Sequence, residues 1–178
     1  MNKNTKRLVL GLLAVAIIGL CAFLFVFGSD TKEVTICNRE MPTATDVTDE
    51  LTKGLVVKQN FVNTTENIKE IALVFSRLYY LDEDDNDVPI NIELLCGNDV
   101  LASTSIVSND IPDQHRVYLN IDNPINGYVG KKLTLKIYET YGSDTGVALL
   151  ISNEIKNESL SFGNRKMNGS ICFSVIGE

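Results

Sequence analysis

NIKEIALVFSRLYYL, Asn67 to Leu81, is the stretch on which the fold class turns. Ile68, Ile71, Phe75 and Leu78 fit one face of a helix, whereas Ile71, Leu73 and Phe75 alternate as a strand does. Val74, Phe75, Tyr79 and Tyr80 are β-branched or aromatic and favour sheet. The segments on either side are strand-like as well. The stretch is therefore expected to be a strand, with a bulge near Arg77 absorbing its length.

Outward from it the same texture continues. Upstream, Leu55–Phe61 (LVVKQNF) reads as a strand ending in Asn63-Thr64-Thr65. Downstream, after the acidic turn DEDDND, Pro89 to Leu95 alternates, and Cys96-Gly97-Asn98-Asp99 turns it into Val100 to Ile106 as a hairpin. His115 to Ile121 places Val117, Leu119 and Ile121 inward. A break follows at Asp122 to Gly127. In Lys131 to Tyr141, Leu133, Leu135 and Ile137 face one way and Lys132, Thr134, Lys136 and Tyr138 the other, so one sheet face is wet. Val147–Ser152 (VALLIS) is a short apolar strand, and Gly169 to Gly177 alternates Ile171, Phe173 and Val175 back into the sheet. Roughly eight or nine short strands with turn signals every ~8–12 residues describe an all-β, antiparallel two-sheet β-sandwich. Jelly-roll topology is the expected form.

The N-terminus has another character. Leu8 to Phe27 (LVLGLLAVAIIGLCAFLFVF) holds no charge or proline and, at about twenty residues, is long enough to cross a bilayer as one transmembrane α-helix. Lys3, Lys6 and Arg7 precede it and the acid-containing GSDTKE follows, so residues 1–7 are expected in the cytoplasm and the rest outside. A cleaved signal peptide would have a shorter apolar core and a better cleavage site than Val26-Phe27-Gly28. Residues 28–53, rich in Thr, Asp and Glu, read as a juxtamembrane stalk with a possible edge strand at Glu33 to Cys37, and residues 54–178 as the extracytoplasmic domain.

The chain carries 16 Lys and Arg against 23 Asp and Glu, a formal charge of −7. With the basic tail inside, the external part is more acidic still. Such a balance repels nucleic acid and anionic polymers or headgroups at long range and leaves neutral sugars, cations or a basic protein surface as partners. Cys37, Cys96 and Cys172 are too widely spread for a metal cluster, and their spacing does not choose between free thiols and one disulfide.

The order LVVKQNF, NIKEIALVFSRL, INIELLCGNDVLASTSI, HRVYLNIDNPINGYVGKKLTLKIYE, VALLIS and FGNRKMNGSICFSV resembles extracytoplasmic β-sandwich modules on membrane proteins of Gram-positive bacteria. These are similar in layout to galactose-binding-like and carbohydrate-binding modules. Gln59 and Phe61, Ile71, Cys96–Asp99, Gly130–Ile137 and Asn168-Gly169 carry the resemblance. It implies a non-enzymatic sandwich with sugar or cell-envelope contact and transfers no ligand residue.

Two candidate sites follow from the residues themselves. Tyr79, Tyr80, Tyr138 and Tyr141 could stack on sugar rings, although strand tyrosines also serve simply as sheet packing. Asp82, Asp84, Asp85 and Asp87 are oxygen donors that could hold calcium, or else form a solvated hairpin tip. Asp87 stands where a helix–loop–helix calcium site needs glycine, which argues against that form. His115 has no activated nucleophile to serve, and no phosphate loop or catalytic carboxylate pair stands out, so no enzyme is expected. Asn63, Asn157 and Asn168 begin glycosylation sequons, which matter only in a eukaryotic host. The expected function is a membrane-anchored module that binds neutral glycan or envelope polymer, with calcium as a possible aid. The alternative is a structural or protein-interaction ectodomain docking on a partner membrane protein.

Overall fold

In β4 (Pro89–Cys96) and β7 (Lys132–Glu139) every second residue turns inward: Ile90, Ile92 and Leu94 on one strand, Leu133, Leu135 and Ile137 on the other, all buried. These two neighbours form the centre of a sheet whose opposite face is partly wet. The structure, a computed structural model, describes residues 32–35, 46–52, 54–80, 88–153 and 159–177, all within the unit Lys32–Glu178. The apolar run Leu8–Phe27, Cys37, and the acidic turn with Asp82, Asp84, Asp85 and Asp87 lie outside the described residues.

The described residues are all-β, with strands joined antiparallel throughout. One sheet runs β1 (Lys32–Thr35), β13 (Phe173–Gly177), β3 (Ile68–Arg77) and β6 (Arg116–Ile125), with β8 (Val147–Leu149) also on β3. The other runs β11 (Arg165–Met167), β10 (Ser159–Phe162), β2 (Val56–Val62), β7, β4 and β5 (Asp99–Val107). A short ribbon pairs β9 (Ile151–Ser152) with β12 (Ser170–Ile171). Between the sheets lies one apolar core, to which β3 contributes Ile71, Leu73 and Phe75, β2 Val57 and Phe61, and β13 Phe173 and Val175. Each such large side chain contributes about 1.5–3 kcal/mol by leaving water. Phe61 and Phe173 meet edge to face across the sheets, ring centroids 5.1 Å apart.

Within the stretch Asn67–Leu81, Ile68–Arg77 is thus a strand, but its bulge is not near Arg77. The register shifts between Ile68 and Glu70, opposite Asp122–Pro124 of β6, where the proline has no N–H to give. At Arg77 the strand stops. The Arg77 N–H goes to Asp113 Oδ1 at 2.8 Å, and its guanidinium donates to the carbonyls of Ser108 and Ile111.

Two segments that read as single strands are each split, and one junction explains both. Val74 N–H donates to Cys172 O at 3.0 Å, Cys172 N–H to Leu150 O at 2.8 Å, and Leu150 N–H to Val74 O at 3.2 Å. This closed triangle is where β13, paired to Glu70–Leu73, hands the edge of β3 to β8, paired to Phe75–Arg77. Leu150 therefore separates β8 from β9, and Cys172 separates β12 from β13. Cys172 is buried, Cys96 is half-buried, and no disulfide joins them. Asp46–Leu51 is also built into the sandwich: Thr48 N–H and Leu51 N–H donate to Leu149 O and Val147 O, each at 2.9 Å, and Leu51 is buried.

Gln59 is the polar residue that the core tolerates at an inward position of β2. It is fully buried, its Oε1 accepts the Ile171 N–H at 3.1 Å, and its Nε2 donates to Asn60 O at 3.1 Å. Gln59→Leu would keep the volume and strand Ile171 without an acceptor. A loss of about 1–3 kcal/mol is expected in urea unfolding; an unchanged midpoint would mean that water or a shifted β12 takes up the N–H.

Candidate functional site

β5 and β6 are the last strands of their respective sheets and lie side by side without pairing. Two sequence features part the sheets there. β5 opposes the large inward residues Leu94 and Ile92 with the small Ala102 and Thr104. β6 bulges away at Asp122–Pro124. The result is an open cleft of about 230 Å³, with Ile71, Ile92, Leu94 and Leu119 among its lining. The remaining lining includes Ser103, Thr104, Asn120, Asp122 and Asn123, of which only Asp122 is charged. None of these five side chains has a hydrogen-bond partner among the described residues. An aliphatic floor with idle donors and acceptors around it suits an uncharged, hydroxyl-rich ligand that has one apolar face.

A second cluster sits where β3 and β7 finish, at the loop joining β7 to β8. Glu50 Oε1 accepts the Thr145 and Gly146 N–H groups, each at 2.7 Å, and its carboxylate also takes the Tyr79 hydroxyl at 2.8 Å. Glu139, buried at the start of the same loop, accepts the Tyr141 and Gly142 N–H groups. Two carboxylates therefore pin the loop at both ends. Gly146 is required there: its φ is +63°, and a Cβ would stand 2.5 Å from Tyr79 O. Lost hydration, with the Glu50 hydrogen bond and the Glu50 and Asp144 charges, pushes the Tyr79 hydroxyl up to about 12.

This geometry divides the four tyrosines. Tyr79, Tyr80 and Tyr141 share the loop end, where Tyr80 is 79 % and Tyr141 70 % exposed. The Arg77 guanidinium lies 4.9 Å from the Tyr80 ring centre. Tyr138 is instead on the outer face of the six-stranded sheet, its hydroxyl donated to Glu93 Oε1 at 2.7 Å and its ring under the Lys136 ammonium at 4.1 Å. Among the described residues no ring of the four stacks on another.

Lys136 Nζ bonds Glu93 Oε2 at 2.9 Å, so Glu93 is held from both sides. Its pKa lies below the usual carboxylate value, first through the Tyr138 hydroxyl and then through Lys136. Tyr138 is shifted the opposite way, upward, by its bond to Glu93 and by burial. A lowered carboxylate adds stability that is present above its unfolded pKa and lost as pH falls through the folded one; a raised phenol adds stability present below its unfolded pKa and lost as pH rises through the folded one. Tyr138→Phe should therefore raise the Glu93 pKa, followed by carboxyl NMR titration. An unmoved titration would make Lys136 the sole cause.

Sequence reasoning did not find the cleft, because no local pattern tells that β5 and β6 end on the same side. The available signals were weak ones: the small Ala102-Ser103-Thr104-Ser105 run, and an Asp-Asn-Pro that reads as a break although β6 continues through it to Ile125. No family model matches the chain, and no curated protein does.

Proposed function

We propose that the chain is a membrane-anchored, extracytoplasmic, non-catalytic binding module for neutral glycan, and that the cleft between β5 and β6 receives the sugar. The observation that carries this reading is the cleft's composition. C–H faces of a pyranose would lie on Ile and Leu side chains, and its hydroxyls would meet Ser103, Thr104, Asn120 and Asn123. At about 230 Å³ the cleft is smaller than the ~300–1,000 Å³ of sites that enclose a drug-sized ligand, so it takes one unit of a longer chain. The jelly-roll reading is supported by the strand orders β1-β13-β3-β6 and β2-β7-β4-β5, with β8 to β12 inserted before the last strand. The anchor reading rests on Leu8–Phe27 and its basic flank.

Calorimetry of the full-length chain in a neutral detergent, against galactan- and glucan-derived oligosaccharides with and without calcium, tests this. Binding should weaken at least about tenfold in Asn123→Ala, a loss of one polar contact, and in Ala102→Leu, which fills the cleft. Binding unmoved by either variant places the sugar elsewhere, with exposed Tyr80 and Tyr141 next in line. The second reading, an ectodomain that docks on a partner membrane protein, is favoured by β5 itself. Its nine residues form a sheet edge without lysine, arginine or proline, the residues that usually guard an edge against pairing. A folded chain that binds no glycan would move the assignment there.

A further inference from the structure

The acidity of the chain is not spread evenly. On the outer face of the six-stranded sheet, the outward positions of β2, β7 and β11 hold Lys58, Lys132, Lys136 and Lys166, and Glu93 is the only carboxylate at the outward positions of that sheet. A chain of formal charge −7 thus turns a cationic face outward. The register aligns part of it in one row across the strands: Lys166 opposite Ser161, Ser161 opposite Lys58, Lys58 opposite Lys136, Lys136 opposite Glu93, and Glu93 opposite Ser103. Ser103 is on the rim of the cleft. The row therefore leads from the cleft across all six strands, ~24 Å at the usual strand spacing.

Lys58 stands directly across from Lys136, an arrangement of like charges that weakens a sheet. Lys136 is relieved by Glu93, but Lys58, Lys132 and Lys166 have no carboxylate partner among the described residues. Edge protection accounts for Lys166 on the outermost strand; it does not account for Lys58, which sits on an interior one. The rows beside the lysines are uncharged and hydrogen-bonding: Asn60 Nδ2 donates to Ser159 Oγ at 2.8 Å, and Thr134 Oγ1 donates to Asn60 Oδ1 at 2.7 Å. A flat face of separated ammonium groups between hydroxyls and amides matches a polymer that alternates anionic groups with hydroxyls. It lacks the arginine forks and helix N-termini that favour phosphate.

We propose that this face binds carboxylate-bearing units of a glycan, so that the polymer recognised is an acidic polysaccharide whose uncharged units enter the cleft. The inference rests on reading the chain as a glycan-binding module. It departs from the expectation drawn from net charge alone, because short-range contact is decided by the local row rather than by the sum over the molecule.

The test uses the full-length chain in neutral detergent with three polymers: polygalacturonate, which has a carboxylate on every ring, uncharged galactan, and polyphosphate. Polygalacturonate should bind and should weaken about tenfold between ~50 and ~300 mM salt. Lys58→Glu combined with Lys166→Glu, both exposed, should weaken it at least about tenfold more, with the melting temperature not lowered and galactan binding unchanged. Absence of polygalacturonate binding, or binding indifferent to the two lysines, overturns the proposal. So does polyphosphate bound as tightly through the same lysines, which would make the partner a phosphate polymer. Absence of galactan binding, with lysine-dependent polygalacturonate binding intact, removes the cleft reading and with it the entry of uncharged units, and supports the cationic face as the carboxylate-binding surface.

Discussion

Phe173→Ala is expected to destabilise the fold by about 3–5 kcal/mol, the range for emptying a buried aromatic site. Phe173 is 1 % exposed and opens β13 immediately after the triangle of hydrogen bonds through Val74, Leu150 and Cys172. Its ring meets Phe61 of the opposite sheet at 5.1 Å, so the deletion removes a contact that holds the two layers together. The backbone on both sides is fixed by pairing to Leu73 and by the junction, which limits how far the cavity can collapse. Urea unfolding gives the number. A loss under about 1 kcal/mol would mean that the layers are held mainly elsewhere.

Asn63→Asp should be nearly as damaging, with a pH signature of its own. Asn63 is 1 % exposed; its Nδ2 donates to Thr65 O at 2.8 Å and Tyr128 O at 3.2 Å, and its Oδ1 accepts the Thr65 N–H at 3.2 Å. The side chain staples the turn after β2 to the loop before β7. An aspartate in its place would keep the Thr65 N–H on one oxygen but aim the other, in a buried and charged carboxylate, at the carbonyl oxygens of Thr65 and Tyr128, at a cost of about 3 kcal/mol or more near neutral pH. Burial raises the pKa of such a carboxyl in the folded state, so its folding is favoured below the unfolded pKa and penalised as pH rises through the folded one. The variant should recover part of its stability toward pH ~4, whereas Asn63→Ala should show no such recovery. Equal pH profiles for the two variants would contradict the buried-donor account. The same geometry makes the sequon at Asn63 unavailable in the folded protein.

The parts of the fold legible in the sequence are those where one face is wet and the other dry. Ile90, Ile92, Leu94 and Leu133, Leu135, Ile137 announced β4 and β7 through alternation alone, and Gly97, at φ +62°, marked the hairpin between β4 and β5. Ile71, Leu73 and Phe75 sufficed for β3, although Ala72, Val74 and Ser76 between them are buried too and blur the period. Val147–Ser152 could not be divided from the sequence, because every residue in it is buried and the split at Leu150 comes from a hydrogen-bond handover between distant segments. The β10–β11 hairpin was missed although Leu160 and Phe162 alternate ahead of Gly163, which takes φ +58°. The site was less legible than the fold. Tyr79, Tyr80 and Tyr141 do share one end, but Tyr138 does not, and the cleft joins β5 to β6 across a space that only topology creates. The net charge gave no sign that the register brings Lys58, Lys136 and Lys166 into one row.

The central claim is that a neutral sugar unit occupies the cleft between β5 and β6. An NMR titration of the isotope-labelled full-length chain in neutral detergent with a galactan-derived oligosaccharide tests it most directly. The account predicts saturable shifts at Ser103, Thr104, Asn120 and Asn123, with the methyls of Leu94 and Leu119 beneath them moving together. Shifts confined to Tyr80 and Tyr141, or no shifts from a folded chain, would contradict it.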